Sequence, residues 1–419
     1  MSEATNQTRL GKRVVITGVG GITALGHDWP TIAASLKAQK NCVVTMNDWD
    51  RYDGLNTRLA APITDFEVPS HYSRKKIRSM GKVSIMATRA SELALLDAGL
   101  LDDPIVSSGE MGIAYGSSTG STDPITAFGD MLKTGDMSGI TATSYIRMMA
   151  HTTAVNVGVF FGLKGRIHTT SSACTSGSQG IGYAYEAIKY GQQTLMLAGG
   201  GEELCPTEAV VFDTLFATST KNSTPELTPR PFDADRDGLV IGEGACTLVL
   251  EELEHAKARG AKIYAELVGF GTNSDGQHVT QPNAQTMEIA IRLALKDAQL
   301  EPSAIGYVNA HGTATDRGDI AESHATQAVF GADTPISSLK SYTGHTLGAC
   351  GALEAWVSIE MMNAGWFAPT LNLKNIDPQC ADLDYIRNEL RPIDTDYVMS
   401  NNFAFGGINT SLIFKRWTR

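Results

Sequence analysis

The feature that most constrains this chain is a pattern that occurs twice. Lys12-Arg13-Val14-Val15-Ile16-Thr17-Gly18-Val19-Gly20-Gly21 runs from a basic start through an apolar stretch into glycines, and Ala261-Lys262-Ile263-Tyr264-Ala265-Glu266-Leu267-Val268-Gly269-Phe270-Gly271 repeats it. Short apolar runs bounded by glycine read as buried strands. The echo continues in two helices with small-residue faces. One follows Cys174 through Glu186-Ala187, and the other runs from Gly348 through Glu354-Ala355. Small faces let two helices pack closely between sheets. Strands alternating with helices predict an α/β fold with mostly parallel sheets. The chain divides into a loose leader at 1–10 and two halves, 11–258 and 259–419, stacked in one layered body. Gly18, Gly20 and Gly21 do not form the spaced triplet of a dinucleotide turn, and no acidic residue follows at the required place after a second strand.

At 419 residues the chain has ample length for a sizeable core. Its net charge of −11 argues against a nucleic-acid or membrane binder, so an acidic partner would have to meet a local basic patch. No apolar run approaches the ~18 residues of a membrane span. The six cysteines are scattered, with no CxxC pair and no zinc-like Cys/His spacing. The polar first residues have no apolar core of a signal peptide, so the expected setting is the cytoplasm.

Three stretches carry chemistry. In His168-Thr169-Thr170-Ser171-Ser172-Ala173-Cys174-Thr175-Ser176-Gly177, a strand-like run turns at Ala173-Cys174 into a helix. A cysteine at a helix start meets unpaired N–H groups and a dipole that favour the thiolate, the nucleophilic form. Taken alone, it reads more readily as a small buried hydrophobe. Asn309-Ala310-His311-Gly312-Thr313-Ala314-Thr315 puts a histidine just past a buried strand, at the edge where α/β proteins place ligands. Lys340-Ser341-Tyr342-Thr343-Gly344-His345 puts another before a helix, whose dipole disfavours the imidazolium and leaves a neutral hydrogen-bond donor.

Together with Asn401-Asn402-Phe403-Ala404-Phe405-Gly406-Gly407-Ile408-Asn409, these motifs resemble the elongating β-ketoacyl-[acyl carrier protein] synthases with a Cys-His-His triad, over Lys12 to Lys415. The resemblance implies a thiolase-like, five-layered αβαβα fold built from two pseudo-repeated halves. It implies a decarboxylative Claisen condensation in fatty-acid or polyene/polyketide-type synthesis. Cys174 would carry the acyl chain, with its own N–H and that of Phe405 as oxyanion hole. His311 and His345 would hold the malonyl thioester carbonyl, Lys340 would support His345 and pair with Glu322, and Phe405 would gate the site. Thr313 and Thr315 would contact the phosphopantetheine arm, with Phe403, Ala404 and Thr119 also facing substrate. No metal or redox cofactor is implied. The implied partners are an acyl carrier protein and a second subunit, either identical or a related ketosynthase-like chain. A non-catalytic, chain-length-setting subunit is the competing reading, and the complete triad opposes it.

Three departures qualify the resemblance. Ala404 stands where relatives usually have glycine, and would strain the gate if that position needs a positive φ. Ser118-Thr119-Gly120-Ser121, with Arg147 and His151, suggests a less aliphatic acyl tunnel and a specialised chain, against the alternative of ordinary elongation. Leu215-Phe216-Ala217-Thr218 lacks the arginine with which relatives often dock the carrier protein, leaving Arg74, Lys75, Lys76 and Arg78 as the docking patch.

Overall fold

The computed structural model describes residues 11–418; the leader at 1–10 lies outside them. Ten strands form one sheet: β1 (Val14–Thr23), β2 (Met111–Gly116), β3 (Ile167–Thr169), β4 (Leu195–Glu202), β5 (Gly244–Glu252), β6 (Ala265–Ser274), β7 (Tyr307–Asn309), β8 (Ile336–Ser337), β9 (Tyr397–Ala404) and β10 (Ile408–Arg416). The helices that bear on the site are α1 (Lys82–Asp97), α2 (Thr152–Phe161), α3 (Ser176–Lys189), α4 (Pro206–Asp213), α5 (Ala284–Ala298), α6 (Asp316–Phe330) and α7 (Cys350–Ala364).

The sheet order is β8-β7-β9-β10-β6-β1-β5-β4-β2-β3. Counted outward from β1 and from β6, both halves run first, fifth, fourth, second, third, with the same sequence of strand directions. They join where Val14–Ile16 pairs antiparallel with Ala265–Leu267. The expectation of mostly parallel pairing fails, because five of the nine ladders are antiparallel. The last strand of each half inserts between the first and fourth and runs against both. Alternation of strands and helices carries no information about that insertion.

The fold is the five-layered α/β arrangement. Helices α1 and α2 cover one outer face, and α5 and α6 the other. Between the two halves lie α3 and α7, each touching strands of both. Both central helices are buried almost all round, as helices between the two halves of one folded sheet must be. Their small residues are what let them meet: a Cβ on Gly351 would stand 2.6 Å from the Ser178 amide nitrogen, and one on Gly177 would stand 3.0 Å from that of Ala352. The glycines of the repeated strand pattern have the same kind of cause. Gly18 and Gly20 press on the backbone of Ala94 and Ala90 in α1, while Gly269 and Gly271 press on Ala294 and Ala290 in α5. The spacing that failed as a nucleotide turn is therefore a packing signature.

A short 3₁₀ turn precedes each central helix, Ala173–Thr175 before α3 and Leu347–Ala349 before α7. Each opens on a non-glycine residue with positive φ, Ala173 at 51° and Leu347 at 44°. Aligning these turns puts Gly177 on Gly351 and leaves the two Glu-Ala pairs out of register.

Candidate active site

Cys174 sits in the strained turn at the head of α3, and such backbone strain persists where the surroundings over-determine it. His345 is pinned by main chain: its N–H donates to the Val240 carbonyl at 2.7 Å, and its own carbonyl accepts from Gly242 at 2.9 Å. That frame brings His345 Nε2 to 2.9 Å from Cys174 Sγ. His311 leaves the end of β7, and the Glu322 carboxylate holds the loop, accepting from the N–H of His311 at 2.6 Å and of Gly312 at 2.7 Å. The two imidazoles lie edge to face with centroids 5.2 Å apart. Cys174 Sγ and one nitrogen from each ring fall within 4.8 Å of one another. The three groups, far apart in sequence, form one cluster.

All three are buried, and burial sets their chemistry. It lowers both imidazoles well below their usual range, and the nearby Lys340 charge lowers them further, so both rings are neutral. Burial also pushes the Cys174 thiol up to about 12, against the opposing pull of Lys340 and of the N–H groups of Phe405 and Cys174 aimed at the sulfur. This corrects the expectation from the helix dipole: the resting nucleophile is a thiol. Desolvation outweighs the helix terminus.

Lys340 does not pair with Glu322. Its ammonium contacts Glu354 of α7, both side chains being buried. Glu354 in turn accepts from Asn402 Nδ2 at 2.7 Å, and that amide lies 3.5 Å from His311 Nδ1. Although burial works against it, the Lys340 pKa is held above its ordinary value, with the Glu354 carboxyl that its ammonium contacts as the charged partner. Glu322 is pushed up to about 8 by burial, which its two amide hydrogen bonds only partly offset.

A cavity of about 550 Å³ leads to the triad, lined by Thr313, Thr315, Phe403, Ala404 and Phe405 among others. Thr313 and Thr315 hydrogen-bond each other at 2.9 Å. Phe405 tops the β9–β10 hairpin, its ring 5.1 Å from that of Phe212. The turn beyond it uses Gly406 and Gly407 at φ 87° and 71°, tied to Val279 and Asp275 by hydrogen bonds of 2.7 and 2.8 Å. Ala404 ends β9 and is not among the residues with positive φ, so the strain expected of it is absent.

Two groups fall elsewhere. Thr119 does not line this cavity; its hydroxyl donates to Glu208 of α4 at 3.0 Å. Arg74, Lys75, Lys76 and Arg78 are exposed around the short helix Arg74–Ile77, and Arg74 and Arg78 border a separate groove with Arg147. Sequence reasoning missed Glu354 and Asn402 as site members, although each lay within a quoted motif. It also missed Arg236, whose guanidinium crosses the cavity wall to Asp319 and Asp377.

The model of the β-ketoacyl synthase N-terminal domain matches residues 11–256, and that of the C-terminal domain matches residues 264–374. The 3-oxoacyl-[acyl-carrier-protein] synthase 1 of Haemophilus influenzae is 37% identical over 409 residues, 97% of this chain and 99% of its own. Among solved structures, a β-ketoacyl synthase from Burkholderia phymatum STM815 is 67% identical with a TM-score of 0.96, covering 97% of this chain and 100% of its own. The ishigamide ketosynthase/chain length factor is 32% identical with a TM-score of 0.89, over 97% and 100%.

Proposed function

The chain belongs to the β-ketoacyl synthase family and acts as an acyltransferase that forms carbon–carbon bonds, and we propose that it joins malonyl-[acyl carrier protein] to an acyl chain held on Cys174, with loss of CO2. The observation that carries this reading is the 2.9 Å contact of Sγ with His345 Nε2, beside a second neutral imidazole and under the Phe405 amide.

In the first half-reaction Sγ attacks the acyl thioester. As the C–S bond forms, the thiol proton passes to the departing pantetheine thiolate, while His345 stays neutral with its proton on Nε2, the nitrogen that faces the sulfur. The N–H groups of Cys174 and Phe405 stabilise the tetrahedral oxyanion. In the second, His311 and His345 donate hydrogen bonds to the malonyl thioester carbonyl. Its carboxylate leaves as CO2, and the enolate oxygen rests on those two donors. The enolate carbon attacks the acyl-cysteine, the same amides take the new oxyanion, and as that oxyanion collapses the expelled Cys174 thiolate takes up one proton from water. Lys340 keeps the imidazoles neutral, which fits donors rather than imidazolium acids. We assign no metal or redox cofactor: the decarboxylation drives the reaction, and a cation bound at these three donors would stand against the buried Lys340 charge. Intact-mass measurement of wild type and Cys174→Ala after incubation with acyl-carrier thioester tests the assignment. An equal acyl adduct on both proteins would sink it.

For the chain itself we propose an unsaturated, aryl-primed or polyketide-like acyl group. Glu208 is buried with one carboxyl oxygen unpartnered, and burial, then the Glu202 charge, raises its pKa well above the usual range. A carboxyl group bonded to Thr119, one helical turn before the cavity-lining Phe212, suits a polar or polarisable chain better than a saturated one. Competition between saturated and polyenoyl carrier thioesters decides; equal or better turnover of the saturated chain refutes the preference.

The unpaired edge of β3, with Ile167 43% and Val159 73% exposed beside it, fits pairing with a second subunit. We assign an identical copy in the cytoplasm. Activity appearing only with a co-expressed related chain would replace that with a heterodimer. Among the described residues no helix is long and apolar enough to cross a membrane.

A further inference from the structure

Phe216 stands at the mouth of the catalytic cavity, 89% exposed, in the left-handed region at φ 52°. Its backbone is the C-terminal stop of α4: its N–H donates to the Asp213 carbonyl at 3.0 Å, and the Ala217 N–H reaches the Phe212 carbonyl at 2.9 Å. That paired hydrogen bonding is the helix ending at which glycine is the usual left-handed residue. A bulky residue there is an outlier, and an aromatic ring left in water gains the fold nothing. Leu215 at 46% and Val279 at 68% exposure flank it, and all three border the same opening.

The charge at this mouth runs the wrong way for electrostatic docking of an acidic protein. Asp237, Asp275 and Asp316 outnumber Arg236 and Arg317 among the lining residues, and the Arg236 side chain is 2% exposed and engaged by Asp316, Asp319 and Asp377. A substrate tethered to a carrier protein must nevertheless enter here, because this cavity leads to Cys174.

We propose that Phe216, with Leu215 and Val279, is an apolar docking anchor for the carrier protein, whose matching surface presents an apolar side chain next to the attachment point of its pantetheine arm. The inference rests on the carrier-dependent activity proposed above. Exposed charges at Arg74, Lys75, Lys76 and Arg78 steer the encounter from a distance, while Phe216 seats the complex. Large aromatic anchors commonly dominate such interfaces.

The test compares one acyl group presented on carrier protein and on free pantetheine, with wild type, Phe216→Gly, Phe216→Asp and Phe216→Leu. Glycine relieves the positive φ, so Phe216→Gly should melt no lower than wild type. It should still raise KM for the carrier-bound thioester, relative to the pantetheine thioester, by about tenfold. Phe216→Asp should raise that ratio further, and Phe216→Leu should restore most of it. An unchanged ratio in the glycine and aspartate variants overturns the anchor. A changed subunit mass in sedimentation also overturns it, assigning the patch to a subunit interface. If wild type acylates Cys174 from neither thioester, it is the condensing activity that fails.

Discussion

Glu354→Gln is the most informative single change, because it separates charge from shape inside the site. Lys340 is 1% and Glu354 4% exposed, so the substitution leaves an ammonium buried against an amide N–H2. Removing one partner of a buried ion pair costs about 3–5 kcal/mol, mostly as the penalty of the stranded charge. The Gln carbonyl can still accept from Asn402, so the loss is not one of packing or of that hydrogen bond. Replacing both charges, in Lys340→Met with Glu354→Gln, removes the stranded group and should return at least half of the lost stability. Activity should not follow stability. Without Lys340 the neighbouring imidazoles lose a charge that lowers their pKa, so the acid limb of the condensation profile should move to higher pH. The sign is fixed: neutral rings are required, and deleting a cation makes them easier to protonate. Urea midpoints for the three proteins, with CO2 release measured from pH 5 to 9, give both readings. A double variant as unstable as Glu354→Gln, or one with an unshifted acid limb, refutes this account of Lys340.

Other expectations follow from the same geometry. His311→Ala and His345→Ala should each slow malonyl decarboxylation by about 10²-fold or more, since each removes one donor to the enolate oxygen. Only His345→Ala should also slow acyl transfer, because only His345 touches Sγ. Alkylation of Cys174 by iodoacetamide, followed by peptide mass spectrometry, should accelerate about tenfold per pH unit well beyond pH 9, as befits a thiol with a pKa near 12; a plateau by pH 7 would falsify the buried-thiol assignment. Gly351→Ala should lower stability by about 1–3 kcal/mol, because its Cβ would stand 2.6 Å from the Ser178 amide and α3 and α7 would have to part. A wild-type melting temperature for that variant would show the contact to be slack. Charge reversal at Lys75 and Arg78 should raise KM for carrier-bound substrate and weaken its dependence on salt; unchanged kinetics would remove the steering role.

The three motifs around Cys174, His311 and His345, and the doubling of the strand-and-glycine pattern, could be read in one dimension because each is a local rule. A strand needs its apolar run, a helix start its turn, and a close helix pair its small face. The glycines of β1 and β6 were legible as a repeat but not by cause, since only the packed structure shows Ala90, Ala94, Ala290 and Ala294 pressing on them. Three-dimensional placement decided what is relational. It gave Lys340 to Glu354 rather than Glu322, because α7 crosses beneath the histidines while α6 holds its carboxylate against the His311 backbone. It also ran β5 and β10 against their neighbours, and freed Ala404 from strain by ending a strand there. Above all it set the protonation states. The sequence placed Cys174 at a helix start, where the dipole favours a thiolate. How much water the surrounding layers exclude is known only once they close, and that exclusion keeps the sulfur protonated until a substrate arrives.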